Sequence, residues 1–179
     1  MVQCVFGFRA GVNPESRLFN PALGGGGLMD VGVYTVSMAS MVLGTPVAIS
    51  SQAHIGSTGV DEEAGMVFRH AGGQIAILST AIRLTTPHET YIVGTEGKIK
   101  LHSPWWTPRV ATVSRNGKPE ERIEMPFEGG GFQFEAQHVA ECLRAGKTES
   151  DVIPLDETLS IMQTLDTLRG QFGVKYPME

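Results

Sequence analysis

The stretch Gly24-Gly25-Gly26-Gly27-Leu28-Met29-Asp30-Val31-Gly32-Val33-Tyr34 sets four positions without side chains before an acid and a phenol. A helix that begins at Met29 or Asp30 places Asp30 and Tyr34 four residues apart, so both side chains project from one helix face. This spacing predicts room for a ligand beside two groups that handle protons. The alternative is a glycine turn before an amphipathic helix, with Asp30 as the N-cap and Tyr34 packed at the rim.

The residues on both sides of this glycine run predict a sheet. Residues 2–8 alternate between apolar and polar side chains, as in a half-buried strand. A helix is predicted over 30–43, because Gly44 and Pro46 follow it as stop signals. After it, turn residues separate seven predicted strands: 47–54, 64–69, 74–84, 89–93, 98–101, 109–114 and 121–125.

Two further helices are predicted near the end of the chain, each with an apolar stripe that is expected to pack against the sheet. The first stripe contains Phe132, Ala136, Val139, Ala140 and Leu143, and the second contains Ile161, Leu165, Leu168 and Phe172. Strands in one block followed by helices in another favour an α+β fold. We therefore expect a mainly antiparallel open sheet with helices packed on one face.

Composition describes an ordinary globular domain and excludes several classes of protein. The 179 residues are 41% hydrophobic and 18% charged, with a net charge of −5, which argues against a disordered or nucleic-acid-coating chain. The apolar stretches are shorter than a membrane span, and the first residues do not resemble a signal peptide. Cys4 and Cys142 match no metal or redox spacing, so we expect a reducing, cytoplasmic setting.

The familiar cofactor and metal motifs are missing from the sequence. No G-x-G-x-x-G fingerprint of a dinucleotide-binding domain is present. The segment Ala145-Gly146-Lys147-Thr148 resembles the end of a phosphate-binding loop, but Glu141 stands where that loop needs its first glycine. The five histidines form no recognisable ligand pattern. We therefore expect neither a cofactor site nor a metal site in these residues.

A resemblance to a known family begins in the glycine run. Residues 17–21 (RLFNP) followed by 25–34 (GGGLMDVGVY) resemble the glucose-fructose oxidoreductase, inositol dehydrogenase and MocA (Gfo/Idh/MocA) family. The likeness continues through 58–62, 92–99 and 131–136, and so covers nearly the whole chain. It corresponds to the C-terminal domain only, since members of the family begin with a Rossmann domain that binds NAD or NADP. The motif is nearest to the dihydrodiol dehydrogenase and glucose-fructose oxidoreductase branches.

This resemblance implies two catalytic residues. In the family, an aspartate and a tyrosine or histidine surround the reacting carbon together with the lysine of an E-K-P motif. Asp30 and Tyr34 match the first two, whereas the only Lys-Pro pair, Lys118-Pro119, lacks the glutamate. A phenol is a weak base near neutral pH without a nearby cation, which the lysine would supply. The predicted substrate-binding residues, which suit a sugar-like ligand, are Arg17, Gly26, Gly27, Arg83, His88, Trp105 and Trp106.

The expected domain organisation follows from the same resemblance. Residues 1–179 are predicted to form a single substrate-binding and oligomerisation domain, with the N-terminal Rossmann domain absent. Such a domain belongs to an NAD(P)-dependent oxidoreductase acting on a sugar, polyol or dihydrodiol, and is inactive alone. The expected partners are a small-molecule substrate, a Rossmann domain in cis or in trans, and a second copy paired through the open sheet face, without nucleic acid or membrane. The alternative is a stand-alone, non-catalytic binding or scaffold protein derived from that domain.

Overall fold

The computed structural model describes residues 1–179 as eight strands followed by helices, with one helix inserted after the first strand. The strands are β1 (Val2–Gly7), β2 (Pro46–Ile55), β3 (Asp61–His70), β4 (Ile75–Ala81), β5 (Thr90–Gly94), β6 (Gly97–Leu101), β7 (Val110–Arg115) and β8 (Glu121–Glu124). The helices are α1 (Val33–Leu43), α2 (Phe132–Arg144) and α3 (Leu155–Phe172). All eight predicted strands are present, and the predicted α+β class is confirmed.

All eight strands form one open sheet in the order β2-β3-β4-β1-β5-β6-β7-β8. Every neighbouring pair is antiparallel except β1 and β4, which run parallel. The first strand therefore lies at the centre, because the chain leaves it through α1 and returns as the β2–β3–β4 meander on one side. The hairpin strands β5 to β8 extend the sheet on the other side of β1.

Helices α1 and α3 cover one face of the sheet and enclose the main core. The covered face includes Met66 and Phe68 of β3 and Leu78 of β4, whose neighbours in sequence point to the other side. Leu165 and Leu168 of α3 are fully buried against this layer. Burial of each such side chain contributes about 1.5–3 kcal/mol, so these contacts hold the two helices on the sheet.

The opposite face of the sheet is open. A row of paired residues crosses five strands and the centre of this face, formed by Val67, Ile77, Gln3, Tyr91 and Lys100. Val67 and Ile77 are 45% and 43% exposed, so β-branched side chains lie in solvent at the middle of the sheet. An antiparallel sheet with one solvated face is usual, but apolar residues at its centre suit a further contact.

Helix α2 departs from the sequence prediction. Its apolar stripe was expected to pack against the sheet, yet none of its residues is buried. Phe132 and Leu143 are 75% and 70% exposed. The prediction was wrong because α1 and α3 already occupy the covered face, while α2 follows β8 at the edge of the sheet. The helix therefore presents its apolar stripe to solvent in the isolated chain.

The helical stretch Pro21–Leu43 is long and apolar enough to span a membrane by length and composition alone. This differs from the expectation that no such stretch exists. Half of its most apolar window is buried inside the fold, where α1 packs on β1, β4 and α3. A core helix meets the same criteria, so the stretch is weak evidence for a membrane.

Candidate active site

The glycine run forms a closed turn. The Gly25 N–H donates to the Asn20 carbonyl over 3.0 Å, and the Gly26 N–H donates to the Leu18 carbonyl over 2.9 Å. A Cβ on Gly25 would lie 2.8 Å from the Leu18 carbonyl oxygen, which explains the need for glycine there. These amides are engaged within the protein, so the run does not fit the phosphates of a dinucleotide.

A buried acid fills the space that the glycines leave. Asp61, the first residue of β3, is 1% exposed, and its Oδ2 accepts a 2.6 Å hydrogen bond from the Leu28 N–H. A Cβ on Gly26 would overlap this carboxylate, and one on Gly27 would lie 3.3 Å from its Oδ2. The structure thus gives Gly26 and Gly27 a packing role. Their contact with a substrate stays a prediction.

The environment of Asp61 favours its neutral form. Burial raises the pKa of Asp61 to about 6, although the backbone N–H groups of Leu28 and Gly27 lower it in part. No cation forms an ion pair with Asp61. Residues 58–62 carry part of the family resemblance, but nothing in the sequence indicated this role of Asp61, since a contact across 33 residues depends on the folded chain.

Asp30 lies in a π-helical turn, Leu28–Gly32, that leads directly into α1. The sequence predicted a helix that begins at Met29 or Asp30, with Asp30 as a possible N-cap. In the structure the helical turn begins at Leu28, and the side-chain oxygen that accepts the Leu28 N–H belongs to Asp61 instead. Asp30 instead accepts a 2.6 Å hydrogen bond from the Arg17 guanidinium through Oδ1. Arg17 is largely exposed, so this pair contributes little to stability and leaves its charges available.

Tyr34 belongs to a continuous aromatic cluster with Phe6, His88, Trp105 and Trp106. Its ring contacts Phe6 edge-on at 5.3 Å between ring centroids, and Phe6 stacks on Trp106 at 3.9 Å. His88 contacts both Phe6 and Trp106 edge-on. The structure therefore brings together four predicted site residues, Tyr34, His88, Trp105 and Trp106, and adds Phe6. The alternating pattern of residues 2–8 had predicted Phe6 only as part of a half-buried strand.

Backbone carbonyls of β1 hold this cluster in place. The Trp105 indole N–H donates to the Val5 carbonyl over 2.8 Å, and His88 Nε2 donates to the Gly7 carbonyl over 2.6 Å. His88 also adopts a left-handed backbone conformation with φ of 54°, which is uncommon outside glycine. The cluster is thus anchored to the central strand, which restricts its side-chain motion.

An apolar groove of about 730 Å³ opens beside the cluster. Tyr34, Trp105 and Trp106 contribute to its wall, and Tyr34 is 43% exposed at the surface. The other lining residues come from α1, β6, the loop after it, the loop before α3 and α3 itself: Val33, Ser37, Met38, Ser40, Met41, Leu101, Pro108, Val152, Ile153, Glu157 and Ile161. A groove of this size with few polar groups is typical of a site for a small organic ligand.

Arg83 lies apart from this groove. Its Nε is 3.4 Å from Oε2 of the buried Glu62, and its guanidinium donates to the Ala10 carbonyl. These contacts tie the end of the β3–β4 hairpin to the chain after β1. Arg83 is not among the groove-lining residues, and neither are Asp30 and Arg17. No group of three or more His, Cys, Asp or Glu side chains is placed to hold a metal ion.

The open sheet, the helix-covered core and the Asp30–Tyr34 turn define the C-terminal domain class of an oxidoreductase family. The model of the GFO/IDH/MocA C-terminal domain matches residues 1–100. The chain therefore belongs to the Gfo/Idh/MocA family.

Relatives of known name agree with this membership. The chain is 33% identical over 171 residues to a trans-1,2-dihydrobenzene-1,2-diol dehydrogenase of Xenopus tropicalis, an alignment that covers 90% of this chain and 51% of that protein. The enzyme of the same name from Mus musculus is 34% identical over 186 residues, which cover 97% of this chain and 54% of the relative. The chain thus spans about half the length of the curated relatives it matches.

Solved structures share the fold at low sequence identity. An aldose-aldose oxidoreductase from Caulobacter crescentus, complexed with glycerol, superposes with a TM-score of 0.80 and 21% identity, covering 95% of this chain and 52% of that one. A 3-ketoreductase from Actinomadura kijaniata, in complex with NADP and TDP-benzene, superposes with a TM-score of 0.80 and 18% identity, covering 96% and 53%. At this identity the likeness shows the fold alone.

Proposed function

We propose that this chain is the substrate-binding part of an NAD(P)-dependent oxidoreductase that acts on a hydroxyl-bearing carbon of a dihydrodiol, sugar or polyol. The observation that carries the proposal is the position of Tyr34. Its phenol lies at the surface of an aromatic-lined groove, four residues after an acid that is paired with arginine. Family membership and the names of the dehydrogenase relatives give the reaction class.

In this proposal Tyr34 exchanges the proton of the reacting hydroxyl. Interconversion of an alcohol and a carbonyl requires a group within hydrogen-bond reach of that oxygen. Asp30 then orients a substrate hydroxyl, since it can accept a hydrogen bond, and Arg17 fixes the direction of the carboxylate. Arg17 itself is 73% exposed and is able to donate to a substrate oxygen as well. Gly26, Gly27 and Arg83 remain predicted substrate contacts without direct support from the groove.

The groove favours a substrate with an apolar ring over a highly charged one. Trp106 contributes aromatic surface to its wall, and Met41, which is 70% exposed, offers an adaptable apolar contact. A dihydrobenzenediol, which the vertebrate relatives are named for, has one apolar ring and two adjacent hydroxyl groups. Such a molecule would place its ring in the groove and its hydroxyls near Tyr34.

The nicotinamide cofactor, NAD or NADP, is assigned in this proposal to a domain beyond residues 1–179, joined in cis or supplied by another chain. The glycine run does not fit a dinucleotide, and the relatives are about twice as long as this chain. Exposed apolar side chains near the end of the chain support such a partner: Phe132, Val139 and Leu143 of α2, with Val152, Ile153, Leu155 and Leu159 before and within α3. We call these seven residues the α2–α3 surface, and we propose that it contacts the nucleotide-binding domain.

A second copy of the chain is the other proposed partner. The open sheet face carries Val67 and Ile77 at its centre, and two such faces would bury them by packing against each other.

Both cysteines are free, and burial raises the pKa of Cys4 to about 12, which makes its thiol inert. Unpaired cysteines suit the proposed cytoplasmic setting.

Ligand binding to this chain provides the first test. Trp105 and Trp106 are the only tryptophans, so intrinsic fluorescence reports on the groove. Titration with trans-1,2-dihydrobenzene-1,2-diol is expected to change this fluorescence saturably, and Trp106→Leu is expected to weaken the binding. No saturable change with this diol or with sugars and polyols would contradict a substrate groove.

The catalytic assignment needs the chain together with its nucleotide-binding domain. Tyr34→Phe is expected to lower kcat/KM about 100-fold or more, because it removes the group that exchanges the proton. The matched control is Tyr91→Phe, which removes a phenol on the open sheet face. An unchanged kcat/KM in Tyr34→Phe would remove Tyr34 from the mechanism.

A further inference from the structure

We propose that Asp61 is a positioning residue for the candidate active site: it holds the turn that carries Asp30 and Tyr34 by accepting hydrogen bonds from the backbone. This inference rests on the proposed function for the importance of those two residues. The contact between Asp61 and the turn is independent of that function. Nothing in the family resemblance assigns a role to Asp61.

Two buried side chains hold the turn through its backbone. The Asp61 carboxylate lies beside Gly26 and Gly27 and accepts a hydrogen bond from the Leu28 N–H over 2.6 Å. The Tyr176 hydroxyl donates to the Gly25 carbonyl over 2.9 Å. Asp61 pairs with Ile55 in the β2–β3 ladder, so the sheet fixes the position of its backbone. A rigid strand thereby sets where the turn begins.

From this anchor, hydrogen bonding transmits the position to the site. The Leu28 N–H donates to Asp61, and the Leu28 carbonyl accepts a hydrogen bond from the Val33 N–H. This second bond closes the π-helical turn. Asp30 lies inside that turn, and Tyr34 follows Val33 in the first turn of α1. A shift at Leu28 therefore moves both side chains, since they lie on the same short rigid segment. π-helical turns of this kind occur frequently at functional sites.

The charge of Asp61 argues for a role beyond stability. A carboxylate is stabilised by nearby cations or by water, and Asp61 has neither an ion pair nor exposure. The neighbouring Glu62 is also buried but pairs with Arg83. The titratable side chain facing Asp61 is Tyr176, over whose ring the Arg169 guanidinium lies at 5.0 Å. A neutral cap such as asparagine would avoid the cost of burying a charge.

The test is a spectroscopic measurement on the chain itself. Fluorotyrosine labelling gives three fluorine signals, from Tyr34, Tyr91 and Tyr176, which are assigned by single replacements with phenylalanine. Asp61→Asn keeps one oxygen to accept the Leu28 N–H, whereas Asp61→Ala keeps none. The Tyr34 signal is expected to move in both variants, and further in Asp61→Ala. Hydrogen exchange at the Leu28 amide is expected to rise about 10- to 100-fold in Asp61→Ala.

Glu62→Gln is the matched control, because it neutralises the adjacent buried acid without touching the turn. It is expected to leave the Tyr34 signal in place. A Tyr34 signal that stays unchanged in both Asp61 variants, while Leu28 exchanges faster, would overturn the proposal and leave Asp61 as a simple cap.

Titration of the unsubstituted site covers the case in which neither variant folds. The Leu28 amide and Tyr34 fluorine signals are expected to move together between pH 5 and pH 7, the range in which the buried Asp61 carboxyl titrates. Independent behaviour of the two signals would also overturn the proposal. Because no readout uses catalysis, failure of Tyr34 as the catalytic group would leave this result unaffected.

Discussion

At the scale of single residues, Gly26 is a position where the structure requires glycine. Its φ of 124° is a conformation that L residues rarely adopt, and a Cβ there would overlap the Asp61 carboxylate. Gly24 also has a positive φ, 70°, but no atom lies within 4 Å of a Cβ built on it. The two glycines look identical in the sequence and differ only in what surrounds them.

Alanine substitution is expected to separate these two positions. Gly24→Ala should cost about 1 kcal/mol of unfolding free energy, because only the left-handed backbone is penalised. Gly26→Ala should cost about 3 kcal/mol or more, since overlap with a buried carboxylate adds to the backbone strain. Urea unfolding of the two variants measures the difference. Equal losses would show that Asp61 does not occupy the space beside Gly26.

Asp61 gives a second prediction at this scale, on the pH dependence of stability. Its pKa of about 6 in the folded chain exceeds the ordinary value of 3.8, so the folded state binds more protons between these values. Its contribution to stability therefore falls as pH rises from about 4 to 6 and is constant above that range. The fall amounts to about 3 kcal/mol, and Asp61→Asn should abolish it.

Urea unfolding at pH 4 and pH 7 checks this prediction when wild type and Asp61→Asn are compared. The comparison removes the contributions of other groups, including His70, whose pKa burial lowers, and Glu89, whose pKa Lys100 lowers. The variant is expected to gain stability relative to wild type as pH rises. A stability difference that is the same at both pH values would show that Asp61 titrates normally.

The sequence predicted the local part of the candidate site and missed the part that depends on folding. Asp30 and Tyr34 are close in sequence, and Trp105 and Trp106 are adjacent. Their spacing and residue types were therefore enough to predict them as site residues. Phe6 and Asp61 reach the site through pairing between distant strands and turns. Alternation in β1 indicates that Phe6 is half buried but not which aromatic rings it contacts. For the same reason, the sequence did not predict that Arg83 forms an ion pair with Glu62 and lies outside the groove.

At the scale of elements, α2 and α3 show that an apolar stripe predicts a helix but does not predict what the helix packs against. Both stripes have helical spacing, but the α3 residues Leu165 and Leu168 are fully buried whereas the α2 residues Val139 and Leu143 are exposed. Periodicity defines an apolar face, and only the position of the helix in the fold determines whether the same chain covers it. The sequence therefore predicted both helices correctly and the packing of only one.

Truncation in each stripe should reveal this difference. Leu168→Ala is expected to cost about 2–5 kcal/mol, because it leaves a cavity in the core between α3 and the sheet. Leu143→Ala is expected to change the unfolding free energy by less than about 0.5 kcal/mol, since its side chain already contacts solvent. Thermal or urea unfolding distinguishes the two outcomes. A large loss in Leu143→Ala would mean that α2 packs on the domain in solution.

At the scale of the whole molecule, the block pattern of strands and helices was enough to predict the class of fold. It was not enough to predict strand order. Residues 2–7 become the central strand only because β4 and β5, more than 70 residues later, pair on either side of it. Long-range pairing of this kind leaves no local signal, and β1 pairs parallel with β4 in an otherwise antiparallel sheet. The open face and the α2–α3 surface then remain as two separate exposed apolar regions.

These two regions predict two independent associations. Ile77→Lys places a charge at the centre of the open sheet face, where pairing with a second copy would bury it. Leu143→Lys places a charge on the α2–α3 surface, where the nucleotide-binding domain is proposed to dock. Sedimentation measures self-association, and recovery of dehydrogenase activity on adding the nucleotide-binding domain measures docking. Each lysine is expected to abolish one association and to leave the other intact, because the two surfaces share no residue. Loss of both associations in either variant would show that a single surface serves both partners.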